Sequence, residues 1–332
     1  LQNLCIVTGL MVLTRPWGKK LSTLVGLFSL IFVFTPVGLQ ALAWNGGVGI
    51  ALWSVIFTIR AVHRTELQLA SRATWVLAGL FAGLALTFRP DLGLALLLVF
   101  AWALWTRPRR TVLHWAGGVI VGLTSLWIHV VQASPSTIVR GIILDPVIHL
   151  RPGRELPSPP SWHYLQGALQ VISEKFAPWW GLPSLSAPKQ LFVWFFMLPI
   201  VALFVTLVAY RLRKRSFAPV PQRFTTLFVA GLFGIGLLPQ AFQRPDSAHL
   251  LWVSLISWPL LLIALYEVIG MRSRGIHPTV RIVTATLSLS LIILLVCPFY
   301  TVRTYTDLVC RLLLDKNKAP KIRAKTAKSL LN

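Results

Sequence analysis

The chain has 332 residues, of which 55% are hydrophobic and only 12% are charged, and its mean hydropathy is +0.71. Polar side chains are too scarce to cover a water-soluble globule, so the composition excludes an ordinary soluble protein and predicts an integral membrane protein. The apolar stretches are continuous rather than alternating, which favours spanning helices over a membrane barrel. The predicted fold class is all-α, a polytopic membrane helix bundle with short paired helices and one long outer loop.

The net charge of +23 lies largely in short links between the apolar stretches. Anionic lipid head groups are the natural partner of such links, so we predict the lipid bilayer, and not nucleic acid, as their partner. The three cysteines have neither metal-ligand spacing nor a disulfide framework. The sequence therefore predicts no metal site, and it leaves the cofactor, including a divalent metal, open.

Ten apolar stretches follow one another along the chain: 1–13, 21–38, 43–59, 74–88, 92–105, 112–131, 190–210, 224–241, 248–269 and 279–300. Several are shorter than the roughly 20 residues that a spanning helix needs. The short ones come in two pairs, which we interpret as hairpins. The predicted organisation is four regions: N-terminal transmembrane helices (1–131), an outer loop (132–189), C-terminal transmembrane helices (190–301) and a basic tail (302–332).

The chain starts with Leu1 inside an apolar stretch, without a short charged lead. We therefore expect that residues preceding Leu1 are missing and that the sequence is a fragment.

Lysine and arginine indicate the orientation of the bundle. More than half of the 32 basic residues lie in alternate links, and such links are cytoplasmic by the positive-inside rule. This assignment places the segment 132–189 on the outer side, together with the turns around Arg89 and Arg244. The basic tail conflicts with the rule, and its side of the membrane stays open.

An Arg-Pro-Asp triplet occurs twice at the predicted outer tips, at 89–91 and at 244–246. Proline fits the first turn of a helix, and an aspartate there meets the positive end of the helix dipole. One interpretation is a capped turn with an Arg–Asp pair. For the second triplet we favour a phosphate-binding site, because His249 follows Asp246 on the same helical face. Asp91 has no polar neighbour on its own face, so the first triplet is predicted to be mainly structural.

Three segments resemble bacterial members of the GT-C superfamily, the multi-spanning glycosyltransferases that use polyprenyl-phosphate-linked sugars. They are "LAGLFAGLALTFRPDLGLALLLVFAW" (77–102), "GLQALAWNGGVGIALWSVIFTIRA" (38–61) and "LLPQAFQRPDSAHLLW" (237–252). The resemblance covers most of the apolar stretches and consists of short paired helices, arginines at outer tips and one long outer loop.

The resemblance implies a multi-pass protein of the cytoplasmic (inner) membrane that transfers a sugar from a polyprenyl-phosphate donor to an acceptor on the outer side. In that family an acidic residue of the first outer loop is generally needed for the chemistry, and here we expect it upstream of Leu1. The predicted ligands of the lipid phosphate are the polar residues of the two triplets and their neighbour, namely Arg244, His249, Asp246, Arg89 and Asp91.

The outer loop is predicted to cover this site and to contact the sugar or the acceptor through His163, Trp162, Trp179 and Trp180. For the tryptophans, anchoring at the membrane interface is the competing interpretation. Two other classes of function stay open, a lipid or sugar transporter or flippase and a non-catalytic membrane assembly protein. A transporter normally places its ionisable residues near the bilayer midplane, whereas here they cluster at outer tips.

Overall fold

A computed structural model describes residues 2–33, 43–141, 144–145, 156–165, 185–215, 222–272 and 275–296. In these ranges the secondary structure is helical and contains no strand, so the predicted all-α class is confirmed. The basic tail 302–332, Trp179 and Trp180 lie outside the described residues.

The bundle contains twelve helices within the described ranges. In chain order they are α1 (Gln2–Leu13), α2 (Lys19–Val33), α3 (Ala43–Glu66), α4 (Arg72–Phe88), α5 (Gly93–Leu104), α6 (Arg109–Gly122), α7 (Thr124–Ala133), α8 (Pro135–Val139), α9 (Ala187–Arg215), α10 (Gln222–Gln243), α11 (Ser247–Arg272) and α12 (Pro278–Val296).

Five of these helices, α3 and α9 to α12, are long and apolar enough to cross a membrane. Helices α6 and α7 would make a sixth span if they are counted together, although they meet at a bend of 56°. The apolar helices α1, α4 and α5 are shorter; α5, with 12 residues, is about 18 Å long against roughly 30 Å of hydrocarbon. The chain is a multi-pass membrane protein in which short helices pack among full-length ones.

Three predicted stretches differ from the helices observed. The stretch 112–131 is not one straight helix, because it breaks at Leu123, directly after Gly122. The stretch 43–59 continues as α3 to Glu66, and α9 likewise runs into its basic residues as far as Arg215. Long basic side chains at a helix end extend to the lipid head groups, so the apolar run understates the length of the helix.

The predicted hairpins, 21–59 and 74–105, do not pack as paired helices in the described residues. Helix α2 lies against α1 and α11, whereas α3 lies against α1 and α4. Helix α4 lies between α3 and α6, whereas α5 packs on α10. The two helices of each predicted hairpin therefore pack mainly on other helices and not on each other.

Glycines determine the crossing of α4 and α6. Gly79 and Gly83 on α4 face Gly118 and Gly122 on α6, and a Cβ built on any of the four would lie 2.0 to 2.4 Å from a carbonyl oxygen of the other helix. Each pair has the G-x-x-x-G spacing that allows transmembrane helices to approach at backbone distance. Only glycine fits at this crossing.

The contacts separate the links between helices into two ends of the bundle. At one end Arg107 pairs with Glu66, and the Trp17 indole and Arg223 both donate to Glu267. These contacts bring together the links that the positive-inside rule assigns to the cytoplasm. Both Arg-Pro-Asp triplets lie at the opposite end, which we call the outer end according to the predicted orientation.

The orientation itself is testable with single cysteines in a background whose three native cysteines are replaced by serine. Ser136 in α8 and Leu69 in the link after α3 are both exposed. With intact cells we expect an impermeant thiol reagent to label Ser136→Cys and to leave Leu69→Cys unlabelled until the cells are permeabilised. Labelling of Leu69→Cys from outside would contradict the predicted orientation.

Candidate functional site at the outer end of the bundle

The second triplet forms the start of α11. Asp246 is the N-cap residue: its backbone carbonyl accepts from the Leu250 amide, and its Oδ1 accepts from the His249 amide at 2.9 Å. The same oxygen lies 2.7 Å from Nδ1 of His249, while Oδ2 accepts from Nε of Arg244 at 2.8 Å. The Asp246 side chain is buried, so this carboxylate fixes the position of both its neighbours.

The ionisation of Asp246 follows from these contacts. Burial alone would raise the pKa of its carboxyl, but the side-chain and backbone hydrogen bonds from His249, together with the charge of Arg244, outweigh burial and hold the pKa below its ordinary value. Asp246 is therefore a carboxylate at neutral pH and keeps Nδ1 of His249 engaged. The other ring nitrogen, Nε2, forms no hydrogen bond within the described residues and is therefore free to contact a ligand.

The first triplet is connected to the second. Arg89 donates to both carboxylate oxygens of Asp91, and the Gln240 amide also donates to Asp91. Gln240 lies on α10, four residues before Arg244, so Asp91 has a polar neighbour although none lies on its own helical face. The neighbour belongs to another helix, which a search along the helical face of Asp91 does not reach.

Two tryptophans complete the connection. The Arg89 guanidinium lies 4.9 Å from the ring centroid of Trp44, which stacks on Trp252 at 5.8 Å. The Trp252 ring in turn lies 4.6 Å from the ring of His249. The described structure thus brings Arg89, Asp91, Arg244, Asp246 and His249 into one cluster, in which Gln240, Trp44 and Trp252 are the bridging residues; we call these eight residues the outer cluster.

Sequence reasoning missed all three bridging residues. Gln240 and Trp252 stand four residues before Arg244 and three after His249, so helical spacing was a usable signal for them. Trp44 comes from a distant segment, and only the tertiary structure places it there.

Several donors in the outer cluster are unused. The indole N–H groups of Trp44 and Trp252 are buried without a hydrogen-bond acceptor in the described part of the chain. Arg244 uses Nε for Asp246, and in the same ranges its Nη atoms form no hydrogen bond. Buried donors without an acceptor are costly, so a ligand that brings acceptor oxygens would stabilise this arrangement.

Part of the outer loop contacts the bundle beside this cluster. The Trp162 ring packs edge-on against the Phe192 ring of α9, with 5.2 Å between the ring centroids. Nζ of Lys189 lies 5.4 Å from the centroid of the Trp162 ring. The His163 amide donates to the Ser161 hydroxyl. Farther along α9, Phe195 contacts Phe242, two residues before Arg244. The described structure shows no direct contact of Trp162 or His163 with the outer cluster, so their predicted role toward the sugar or the acceptor stays a prediction.

Metal-ligating groups do not assemble in the part of the chain that the structure describes: no three His, Cys, Asp or Glu residues are close enough to hold an ion there. The chemistry available at the outer cluster is that of fixed hydrogen-bond donors and positive charge.

Fold and site together define a multi-pass helical membrane protein with a polar and aromatic cluster at one end of the bundle. No protein-family model, no curated protein and no solved structure matches this chain.

Proposed function

We propose that the outer cluster binds the phosphate of a polyprenyl-phosphate-linked sugar and that the protein is a glycosyltransferase acting on the outer side of the cytoplasmic membrane. The observation that supports this proposal is the set of unused donors in the outer cluster. Two indole N–H groups and the Nη edge of Arg244 are available in one contact network, and a phosphate supplies the oxygens that such donors lack.

The donors would act on the leaving group of the reaction. When an acceptor hydroxyl attacks the anomeric carbon, the bond from that carbon to the phosphate oxygen breaks, and the electron pair remains on the lipid phosphate. Fixed donors and an arginine stabilise this developing negative charge. Such electrostatic stabilisation of the transition state is usually the largest contribution to lowering the reaction barrier. The acceptor proton must pass to a base, and the resemblance to the GT-C superfamily implies a carboxylate for that role.

The two arginines of the cluster are not equivalent. Arg89 uses Nε and Nη2 for Asp91 and stacks on Trp44, whereas Arg244 is attached to Asp246 through Nε alone. The Arg244 side chain is also 39% exposed. We therefore assign the phosphate contact to Arg244 and the positioning of Trp44 to Arg89.

The distribution of buried charge weighs against a transporter. Within the described ranges the buried ionisable side chains are Asp246 and Glu267, which lie near opposite ends of α11 rather than at its middle. Coupled transport usually needs ionisable groups close to the bilayer midplane, and the described residues place none there; the broken pair of α6 and α7 is a feature that a transporter would share. Turnover of the sugar donor distinguishes an enzyme from a non-catalytic assembly protein.

The proposal is tested by measuring how tightly the detergent-solubilised full chain binds polyprenyl phosphate, the lipid part of the sugar donor. Removing the charged contact in Arg244→Ala should weaken the binding of polyprenyl phosphate about ten- to a hundredfold, because hydrogen bonds to charged groups contribute about 1.5–3 kcal/mol. Arg244→Lys should recover part of the affinity, since it keeps the charge but loses the planar fork. Native mass spectrometry of the lipid-bound fraction measures both effects.

Arg272→Ala is the matched control, because Arg272 is an exposed arginine at the other end of the same helix. It should bind polyprenyl phosphate like the unaltered chain. Equal binding by Arg244→Ala and Arg272→Ala, at equal yield of monodisperse protein, would reduce the second triplet to a capped turn. Binding by the intact-length protein, without release of sugar from any polyprenyl-phosphate sugar, would favour the assembly protein.

A further inference from the structure

A basic cleft lies at the end of the bundle opposite to the outer cluster. Two adjoining cavities of about 440 and 330 Å³ occur there, and both are lined by Ile59, Arg60 and Gln222. The larger also contacts His63 and Arg64 of α3, and the smaller reaches Arg15 in the link after α1. We call this space the basic cleft.

The charges of the basic cleft lack counter-charges. No acidic residue lines either cavity, and within the described residues Arg15, Arg60 and His63 form no ion pair. Glu66 and Glu267 are the acidic residues that the described chain places at this end, and they pair with Arg107 and Arg223. Both acidic residues at this end are thus already paired. The negative charge that neutralises the basic cleft must therefore come from outside the described residues.

The walls beside these charges are apolar. Phe57 and Leu77 line the larger cavity and Val12 and Ile56 the smaller, and the Arg60 guanidinium lies 5.8 Å from the centroid of the Phe57 ring. Cationic side chains next to apolar walls, at the level where spanning helices leave the hydrocarbon, match an amphiphile with a negative head. A free anion would use only the charged half of such a space.

We propose that the basic cleft binds one anionic phospholipid, with the phosphate at Arg60 and Arg15 and the upper part of an acyl chain along Phe57 and Ile56. Arg60 lines both cavities and is the expected centre of the head-group contact. This site is distinct from the outer cluster and does not rest on the proposed function.

The experiment measures lipid retention by the full chain after delipidation in detergent. Phosphatidylglycerol and phosphatidylcholine, which both contain a phosphate but differ in net charge, are added in parallel, and bound lipid is counted by native mass spectrometry. The unaltered chain should retain one phosphatidylglycerol in preference to phosphatidylcholine. Arg60→Gln should weaken that retention about tenfold, and Arg15→Gln in addition should abolish the preference, because each phosphate contact to a cation is lost.

Arg110→Ala is the matched control, since it removes an exposed charge from the same end of the bundle without touching the lining of the cleft. It should leave phosphatidylglycerol retention unchanged. Equal retention by Arg110→Ala and the Arg60→Gln/Arg15→Gln variant would overturn the site, because the lipid would then be bound by general surface charge. Displacement of the lipid by millimolar inorganic phosphate would also overturn it, since the cleft would then select an anion and not an amphiphile.

Discussion

Replacing Gly118 with Leu should destabilise the protein by about 3 kcal/mol or more and remove most of the monodisperse protein from a detergent extract. The Cβ alone would lie 2.1 Å from the Val76 carbonyl oxygen and 2.8 Å from the Leu80 amide nitrogen. Both contacts are backbone atoms of α4, so no side-chain rotation relieves them, and the two helices must separate. Fluorescence-detected size exclusion and the midpoint of thermal unfolding measure the loss.

The neighbouring glycine is a matched control. A Cβ at Gly117 meets nothing within 4 Å, although Gly117 lies in the same helix and the same apolar sequence. Gly117→Leu should therefore keep yield and unfolding midpoint, and Gly117→Ala should raise stability by up to about 1 kcal/mol through helix propensity. Equal tolerance of leucine at positions 117 and 118 would show that α4 and α6 do not cross at backbone distance.

Replacing Asp246 with Ala should cost about 3 kcal/mol of the free energy of unfolding. The change removes the N-cap acceptor of α11 and leaves Arg244 and His249 without their shared carboxylate, in a place where the Asp246 side chain is only 5% exposed. Loss of a cap contributes about 1 kcal/mol, and the His249 ring and the Arg244 guanidinium each lose a hydrogen bond to a carboxylate, which together add about 2 kcal/mol. Thermal unfolding of the purified chain at pH 7 measures the loss.

Asp91→Ala is the comparison for this change. The Asp91 side chain is 29% exposed, so its pairing with Arg89 is screened by solvent and should contribute no more than about 1 kcal/mol. This order reverses the expectation from sequence, in which Asp91 is the structural aspartate. A larger loss for Asp91→Ala than for Asp246→Ala would show that burial does not decide between the two triplets.

The pH dependence of the Asp246 effect has a definite sign. The folded pKa of Asp246 lies below the value of about 3.9 in an unfolded chain, so its contribution to stability is present above about pH 4 and is lost as the pH falls through the folded pKa. The part of the stability difference between the unaltered chain and Asp246→Ala that comes from the Asp246 carboxyl should accordingly shrink as the pH falls below about 4.

Much of the bundle could be predicted from composition alone. A chain with 55% hydrophobic residues and few charges must place its apolar stretches in lipid as helices, since only internal hydrogen bonding satisfies the backbone there. The five long helices coincide with predicted stretches. Helices α3 and α9 extend beyond the predicted C-terminal ends, because the basic residues that follow the apolar stretch remain helical.

Within the candidate site, helical spacing was enough to associate His249 with Asp246, because residues three apart share a face. It was not enough to join the two triplets. Gln240 approaches Asp91 across two helices, and the stacked pair of Trp44 and Trp252 comes from positions far apart in the chain. Contacts of this kind depend on which helices become neighbours.

The amino-acid sequence by itself determined the class of the protein, the approximate positions of its spans and the alternation of basic links, because these follow from the transfer of side chains between water and lipid. Only the tertiary structure decided the order of packing. The glycines at 79, 83, 118 and 122 could be identified in the sequence, but that they fit against each other, and that α5 packs on α10 rather than on α4, depends on the shapes of whole helix faces. Hydrophobicity is nearly the same on all sides of a spanning helix, so shape and hydrogen bonding select its neighbours.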